Sequence, residues 1–336
     1  MLVPMIQAHN PAFPLPKPTA YRTPAAGRMI GPAHAVDHGW CARIAYQGVT
    51  GAFGELACRR AVPTARAIGF PTIAEAVAAV HRNEVDAVVL PCENLIAGRV
   101  PDIHLLLPES ALFIVGEHFE RIELHLLARP GVRLADIRRV YSHPVALQQV
   151  RRYLARHGLQ GIGMSNTAMA AAFVASDAGP DEAAVASRQA AESYDLGIVS
   201  ENIEDDHCNI TRFYILASRP RRIGRKSTRL LTTMLFEVPN MPSALFGAIS
   251  GFAANEINLT RLESYLAGGS FVATRFLCEF EGDPHSRPVR RAVTHLRKNT
   301  TSCRILGAYP VNDDGPRPMA ALGKPDNSRR TSERGT

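Results

Sequence analysis

The chain is 336 residues long, 46% hydrophobic and 21% charged, with a formal net charge of +7. At roughly 100 to 200 residues per domain, that length suits two domains of an ordinary soluble globular protein. No run reaches the roughly 18 to 20 uninterrupted apolar residues of a membrane span, so no transmembrane helix is expected, nor a membrane partner.

The first 41 residues carry seven prolines and no acid before Asp37. Without periodicity they read as a disordered extension. They have neither the continuous apolar core of a signal peptide nor the serines of a transit peptide. From Ala42 the pattern alternates. "RIAYQG" (43–48) is strand-like, and Ile73, Ala76, Val77 and Val80 have the spacing of an amphipathic helix. "DAVVLP" (86–91) reads as a strand covered on both faces. "ALFIVGEH", "IELHLLA" and "RRVYS" follow as strands, and "VALQQVRRYLARHG" as one helix. "TAMAAAFVAS" is another helix, "AAVAS" a short strand and "TRFYILA" a longer one. This alternation predicts an α/β domain over 42–218 with largely parallel pairing. In such sheets ligands collect beyond the carboxyl ends of the strands.

Residues 219–227 lie in "SRPRRIGRKSTR" (218–229), which holds six basic residues and no acid. With no interleaved aromatics it reads as a solvated linker, not a nucleic-acid surface. Over 228–312 the order is strand, helix, strand, a Gly268-Gly269 hairpin turn, strand, helix, strand. That is a ferredoxin-like βαββαβ module, with helices on one face of an antiparallel sheet. Such sheets often pair edge to edge between subunits. The tail 313–336 reads as unstructured. Six scattered cysteines with no CxxC, and twelve histidines with no HExxH, argue for reduced cytoplasmic thiols and no metal.

Three loops carry candidate chemistry. "YQGVTGAFG" (46–54) places Gly48 and Gly51 where backbone amides can approach an anion, although a tight turn explains them equally well. No GxGxxG is present, so a dinucleotide site is not expected. "PCENLIAGRV" (91–100) sets Glu93 and Asn94 at a strand's carboxyl end, as ligand groups or as a helix cap. "EDDHCNITRF" (204–213) brings Asn209, Thr211 and Arg212 together as donors suited to carboxylates and hydroxyls. Taken alone, an arginine there more often pairs with a neighbouring acid. Physical reasoning by itself reaches an anion-binding cleft in an α/β protein.

In this order, "IAYQGVTGAFGELA", "PCENLIAGRVPDIHLLLP", "VYSHPVAL", "SNTAMAA", "IEDDHCNITRF" and "INLTRLESYLAGGSFVATRF" resemble the prephenate dehydratase family followed by its regulatory ACT domain. The resemblance covers about residues 42 to 312. It implies a two-lobed, periplasmic-binding-protein-like catalytic domain followed by a ferredoxin-like ACT domain. The implied reaction removes water and CO2 from prephenate to give phenylpyruvate, on the way to phenylalanine, with no cofactor.

By resemblance, Thr211, Glu93 and Asn94 are catalytic, with Thr211 assisting the departing hydroxyl. Gly48, Gly51, Ser142, Thr167, Asn209, Arg212 and Phe213 contact the substrate. A threonine hydroxyl acts here as a positioned donor, and Glu93 supplies a proton if burial raises its pKa. Phenylalanine is the implied effector, at Pro242, Ser243, Ala244 and Leu245 and at Asn258, Leu259 and Thr260, in a homodimer or homotetramer.

The sequence departs from the family pattern at Leu95, where a serine is usual, and at Ala52, Val145 and Asn166. Tyr265-Leu266 stands in place of the ACT domain's Arg-Pro. The alternatives are therefore an arogenate dehydratase, or a catalytically weak sensor of an aromatic amino acid. A decarboxylase that spares the hydroxyl is disfavoured, because such relatives lack Thr-Arg-Phe.

Overall fold

The computed structural model of the protein describes residues 41–221, 223, 229–266 and 273–312. The extension up to residue 40, most of the basic linker, the Gly268-Gly269 turn and the tail 313–336 lie outside the described residues.

The first lobe is built from β1 (Arg43–Gln47), α1 (Phe53–Ala61), β2 (Arg66–Phe70), α2 (Ile73–His81) and β3 (Ala87–Asn94). It continues through β4 (Gly98–Arg99), α3 (Pro101–Leu106) and β5 (Phe113–Arg121). Thr72 caps α2 by accepting the Glu75 N–H, and the helix buries Ile73, Ala76, Val77 and Val80. In β3, Val88 and Leu90 enter one core while Ala87 and Val89 enter the core on the opposite face. A continuous apolar strand is thus the central one, as period-2 alternation requires.

The chain then crosses into a second lobe, which starts with β6 (His125–Ala128), β7 (Arg139–Ser142), α4 (Pro144–Gln149), α5 (Arg151–Arg156) and β8 (Gln160–Gly163). It ends with α6 (Thr167–Ser176), β9 (Glu182–Ala186), α7 (Arg188–Ser193) and β10 (Gly197–Ser200). The expected single helix at 145–158 is two. Asp205 takes the Gln149 carbonyl with its N–H, and its carboxylate accepts the Arg152 N–H, so the helical ladder is interrupted at Val150.

The chain returns through 201–209 to β11 (Ile210–Ala217), which completes the first sheet. The two crossings run side by side: Ile122 N–H bonds Asn209 O, and Ile203 N–H bonds Leu124 O. The first sheet has the order β2-β1-β3-β11-β5, and the second β10-β6-β9-β7-β8. Pairing is more mixed than expected. Strand β11 runs antiparallel to both β3 and β5, and β6 antiparallel to β9 and β10. Returning from the second lobe, the chain enters the first sheet from the cleft end, opposite to β1 and β3.

The C-terminal module comprises β12 (Leu230–Glu237), α8 (Ala244–Ala254), β13 (Leu259–Leu266), β14 (Ala273–Glu281), α9 (Arg287–Lys298) and β15 (Ser302–Pro310). Its antiparallel sheet has the order β13-β14-β12-β15. One face packs on α8 and α9 through Met234, Phe236, Phe252, Phe280 and Leu296. The other joins the first lobe's core, where Leu231, Leu277, Leu306 and Tyr309 meet Leu90, Cys92, Ile114 and Tyr214. Gly307 sits so close to the first lobe that a Cβ there would lie 2.0 Å from the Ile114 carbonyl oxygen. No helix among the described residues is long and apolar enough to cross a membrane.

Candidate active site

Asn94 ends β3 and Thr211 is the second residue of β11, and the register sets them directly opposite each other. The Asn94 Oδ1 accepts the N–H groups of Ile96 (2.9 Å) and Ala97 (2.8 Å). Two backbone donors fix which end of this amide is oxygen. Its Nδ2 therefore points inward, donating to Asn209 Oδ1 (2.8 Å) and Thr211 Oγ1 (2.9 Å). Asn209 in turn donates to Gln149 Oε1 at 3.0 Å, and Gln149 Nε2 donates back to Asn209 Oδ1 at 3.3 Å. Asn94, Asn209 and Thr211 are all buried. Gln149 comes from the second lobe and closes the cluster across the cleft. On the other side of Thr211, β5 sets Glu120 opposite it. That carboxylate is taken up by Arg60 and by His118 Nε2.

Because Thr211 accepts from Asn94, its own proton is free to be donated elsewhere. Among the described residues, no carboxylate or imidazole bonds this hydroxyl. Nor is any group of three or more His, Cys, Asp or Glu among them placed to hold a metal ion.

Glu93 and Arg212 do not join the cluster. Consecutive strand residues point to opposite faces, so Asn94 and Thr211 on one face send Glu93 and Arg212 to the other. There Arg212 lies buried against Glu117 Oε2 (2.6 Å) and Glu279 Oε2 (2.6 Å), and it faces the C-terminal sheet, not the cleft. Burial opposes its charge, but Tyr214, Tyr309, Glu279 and Glu117 outweigh that and hold it above its ordinary value. Half-buried Glu93 points the same way, 3.7 Å from Arg261.

The glycine loop also differs from the expectation of free amides. The Gly48 N–H bonds Phe70 O (2.8 Å), and the Gly51 N–H bonds Glu55 Oε2 (2.7 Å), so both are already used. Gly51 has φ +85°, and a Cβ on it would lie 2.7 Å from Ala190 Cα. Its glycine lets the loop dock on α7, where Ser187 donates to Gly51 O and Tyr194 to Thr50 O. Ser142 is fully buried and donates to Val185 O (2.6 Å) within the second lobe. Thr167 opens α6, whose next residue, Ala168, packs in the same core as the buried Phe213.

In the C-terminal module, Pro242, Ser243 and Ala244 line a cavity of about 370 Å³ with Met241, Gly247 and Asn299. Leu245 and Leu259 turn into the module's core. Asn258 accepts the Glu281 N–H at its carbonyl (3.1 Å), while Thr260 points to the helix-free face and donates to Glu279 Oε1 (2.9 Å). The expected effector residues thus divide between the two faces of the sheet. Gln149 is the site residue that sequence reasoning missed, because nothing in the local pattern separates it from Gln148.

The family model for prephenate dehydratase matches residues 44–221, more than half of the chain. A Komagataeibacter europaeus protein named a bifunctional N-acyl-homoserine lactone acylase/prephenate dehydratase is 46% identical over 269 residues, spanning 80% of this chain and 96% of its own. A chloroplastic arogenate dehydratase/prephenate dehydratase of Arabidopsis thaliana is 38% identical over 288 residues, spanning 83% of this chain and 75% of its own. Among solved structures, a prephenate dehydratase of Arthrobacter aurescens in complex with L-Phe is similar at a TM-score of 0.74. It is 28% identical, and the similarity covers 83% of this chain and 93% of that one.

Proposed function

Because the chain belongs to the prephenate dehydratase family, we propose that it converts prephenate to phenylpyruvate, with the cluster around Thr211 as its active site. The observation that carries this reading is the Thr211 hydroxyl, which accepts from Asn94 and so keeps its own proton for a substrate. In the reaction, the bond between ring and carboxylate breaks and the group leaves as CO2. Its electron pair enters the ring, and the ring C–O bond breaks with departure of the hydroxyl. With one proton from solvent, that hydroxyl becomes water. Thr211 donates to the departing oxygen as negative charge grows there, while Asn94 holds the threonine in place and Asn209 holds Asn94. Aromatisation drives the sequence forward, and no cofactor is needed. Arogenate shares the reacting carboxylate and hydroxyl, so the same cluster serves either substrate.

The test is product formation by the purified full chain at neutral pH. Prephenate should yield phenylpyruvate, or arogenate should yield phenylalanine, well above the uncatalysed rate. Neither product forming would make the reading wrong.

A second activity is suggested by the acylase in the Komagataeibacter relative's name and by apolar surface beside the cluster. Leu95 follows Asn94 and is 56% exposed. Val145, 39% exposed, lies one turn from Gln149 on α4. These surfaces suit an alkyl chain, and incubation with an N-acyl-homoserine lactone tests the idea. Free fatty acid release would support it.

We further propose that the βαββαβ module is an ACT domain that binds phenylalanine and inhibits the enzyme. The phenylalanine bound by the Arthrobacter relative supports this. Exposed Leu262 and Leu266 on edge strand β13 support pairing of two modules in a homodimer or homotetramer.

A further inference from the structure

The helix-free face of the C-terminal sheet grips both strands that carry the active-site cluster. On β11, Arg212 bonds Glu279, which stands on β14. The same Glu279 carboxylate accepts from Tyr309 of β15 (2.9 Å) and from Thr260 of β13 (2.9 Å). Tyr309 is also bonded to Thr233 of β12 (2.9 Å), so all four strands of the module contribute to the grip. On β3, Glu93 lies beside Arg261, which also bonds Glu263 (2.7 Å) and the Tyr214 hydroxyl (3.0 Å). Glu279 is 2% exposed and Arg212 9% exposed, so water does not screen the contact.

Arg212 shares a planar peptide with Thr211, and Glu93 shares one with Asn94. A strand cannot move one side chain of such a pair without carrying the other. Displacements of about 1 Å at a reacting group lower rates by about 100-fold. The network therefore sits where a small movement of the C-terminal sheet reaches the departing hydroxyl.

We infer that Glu279 is a positioning residue for Thr211: it holds Arg212, and with it the start of β11, on the C-terminal sheet, and Thr260 links that hold to β13. The catalytic part of this inference rests on the dehydratase reading. Arg212 is then the strand's anchor, not a substrate ligand. The burial of its guanidinium between two carboxylates agrees with that role. A ligand that shifts β13 acts on turnover through Thr260, Glu279 and Arg212 in succession.

The experiment uses the full chain carrying Glu279→Gln, which keeps the size and amide-compatible hydrogen bonds but removes the charge. Hydrogen exchange of the peptide spanning 208–214 is read beside steady-state kinetics with prephenate. In the variant, exchange over Ile210–Phe213 should rise by about tenfold while β1 is unchanged. At the same time kcat should fall by about tenfold or more with KM within about threefold. Phenylalanine should change exchange at the same amides in the wild type, and that change should be lost in the variant. If Glu279→Gln does not fold, Tyr309→Phe, which drops one bond to the carboxylate, should show the same changes at smaller size.

Unaltered exchange over Ile210–Phe213 together with unaltered kcat in a folded variant would overturn the inference. It would leave the dehydratase reading standing. Raised exchange in a protein that turns over neither prephenate nor arogenate would do the reverse, supporting the anchor and removing the dehydratase.

Discussion

At the start of β11, the consecutive residues Thr211 and Arg212 occupy two unlike surroundings. Thr211 meets the amide of Asn94, which Asn209 and Gln149 back in turn, through bonds of 2.8 to 3.3 Å between neutral groups. Arg212 meets the carboxylates of Glu117 and Glu279 and the phenol of Tyr309. Amides hold a hydroxyl in place without consuming its proton or forcing a charge on the cleft. Buried ion pairs are stringent about geometry, since removing one partner leaves a charge with no water to solvate it. The proposed chemistry thus lies on the face that tolerates a changing ligand, and the fixing lies on the face that does not.

The largest expected effect separates the two faces through stability. Arg212→Met leaves Glu117 and Glu279 without their shared cation and should destabilise the fold by about 3 to 5 kcal/mol, read by urea unfolding. A loss below about 1 kcal/mol would mean that this face does not hold the strand. Next comes Gln149→Ala on the amide face. It should leave the folded state intact by circular dichroism but lower kcat by about 10- to 100-fold, since the buried Asn209 loses a partner. Equal damage to stability and no effect on kcat would erase the contrast.

The smallest effect is a pH dependence. Burial pushes the Glu279 carboxyl up, but the Arg212 charge, with hydrogen bonds from Arg212, Tyr309 and Thr260, outweighs it and holds the group below its ordinary 4.5. A depressed folded value means that its stabilisation is fully present above the ordinary value. It is lost as pH falls through the folded one. Wild-type stability should therefore decline more steeply below pH 4.5 than that of Glu279→Gln. Parallel acid profiles for the two proteins would contradict it.

Much of the scaffold was legible because local pattern and burial agree. The run at 86–91 is apolar because both faces of β3 are covered, and α2 is spaced for one buried face with Thr72 at its start. Asn94, Asn209 and Thr211 were visible as polar residues interrupting strand ends, and they do lie together. Grouping Arg212 with them overlooked strand alternation, which assigns it to the opposite face. The break at Val150 was not legible, because its cause is Asp205 on the returning crossing. The direction of β11 and the partners of Arg212 depend likewise on segments remote in sequence. No local period encodes them.

The most direct measurement compares kcat for prephenate at neutral pH in wild type, Thr211→Val and Thr211→Ser. Valine keeps the branched shape without the hydroxyl, so kcat should fall by about 100- to 1000-fold while serine retains most of the activity. Wild-type turnover in Thr211→Val, with the fold intact, would show that the departing hydroxyl is assisted by some other group.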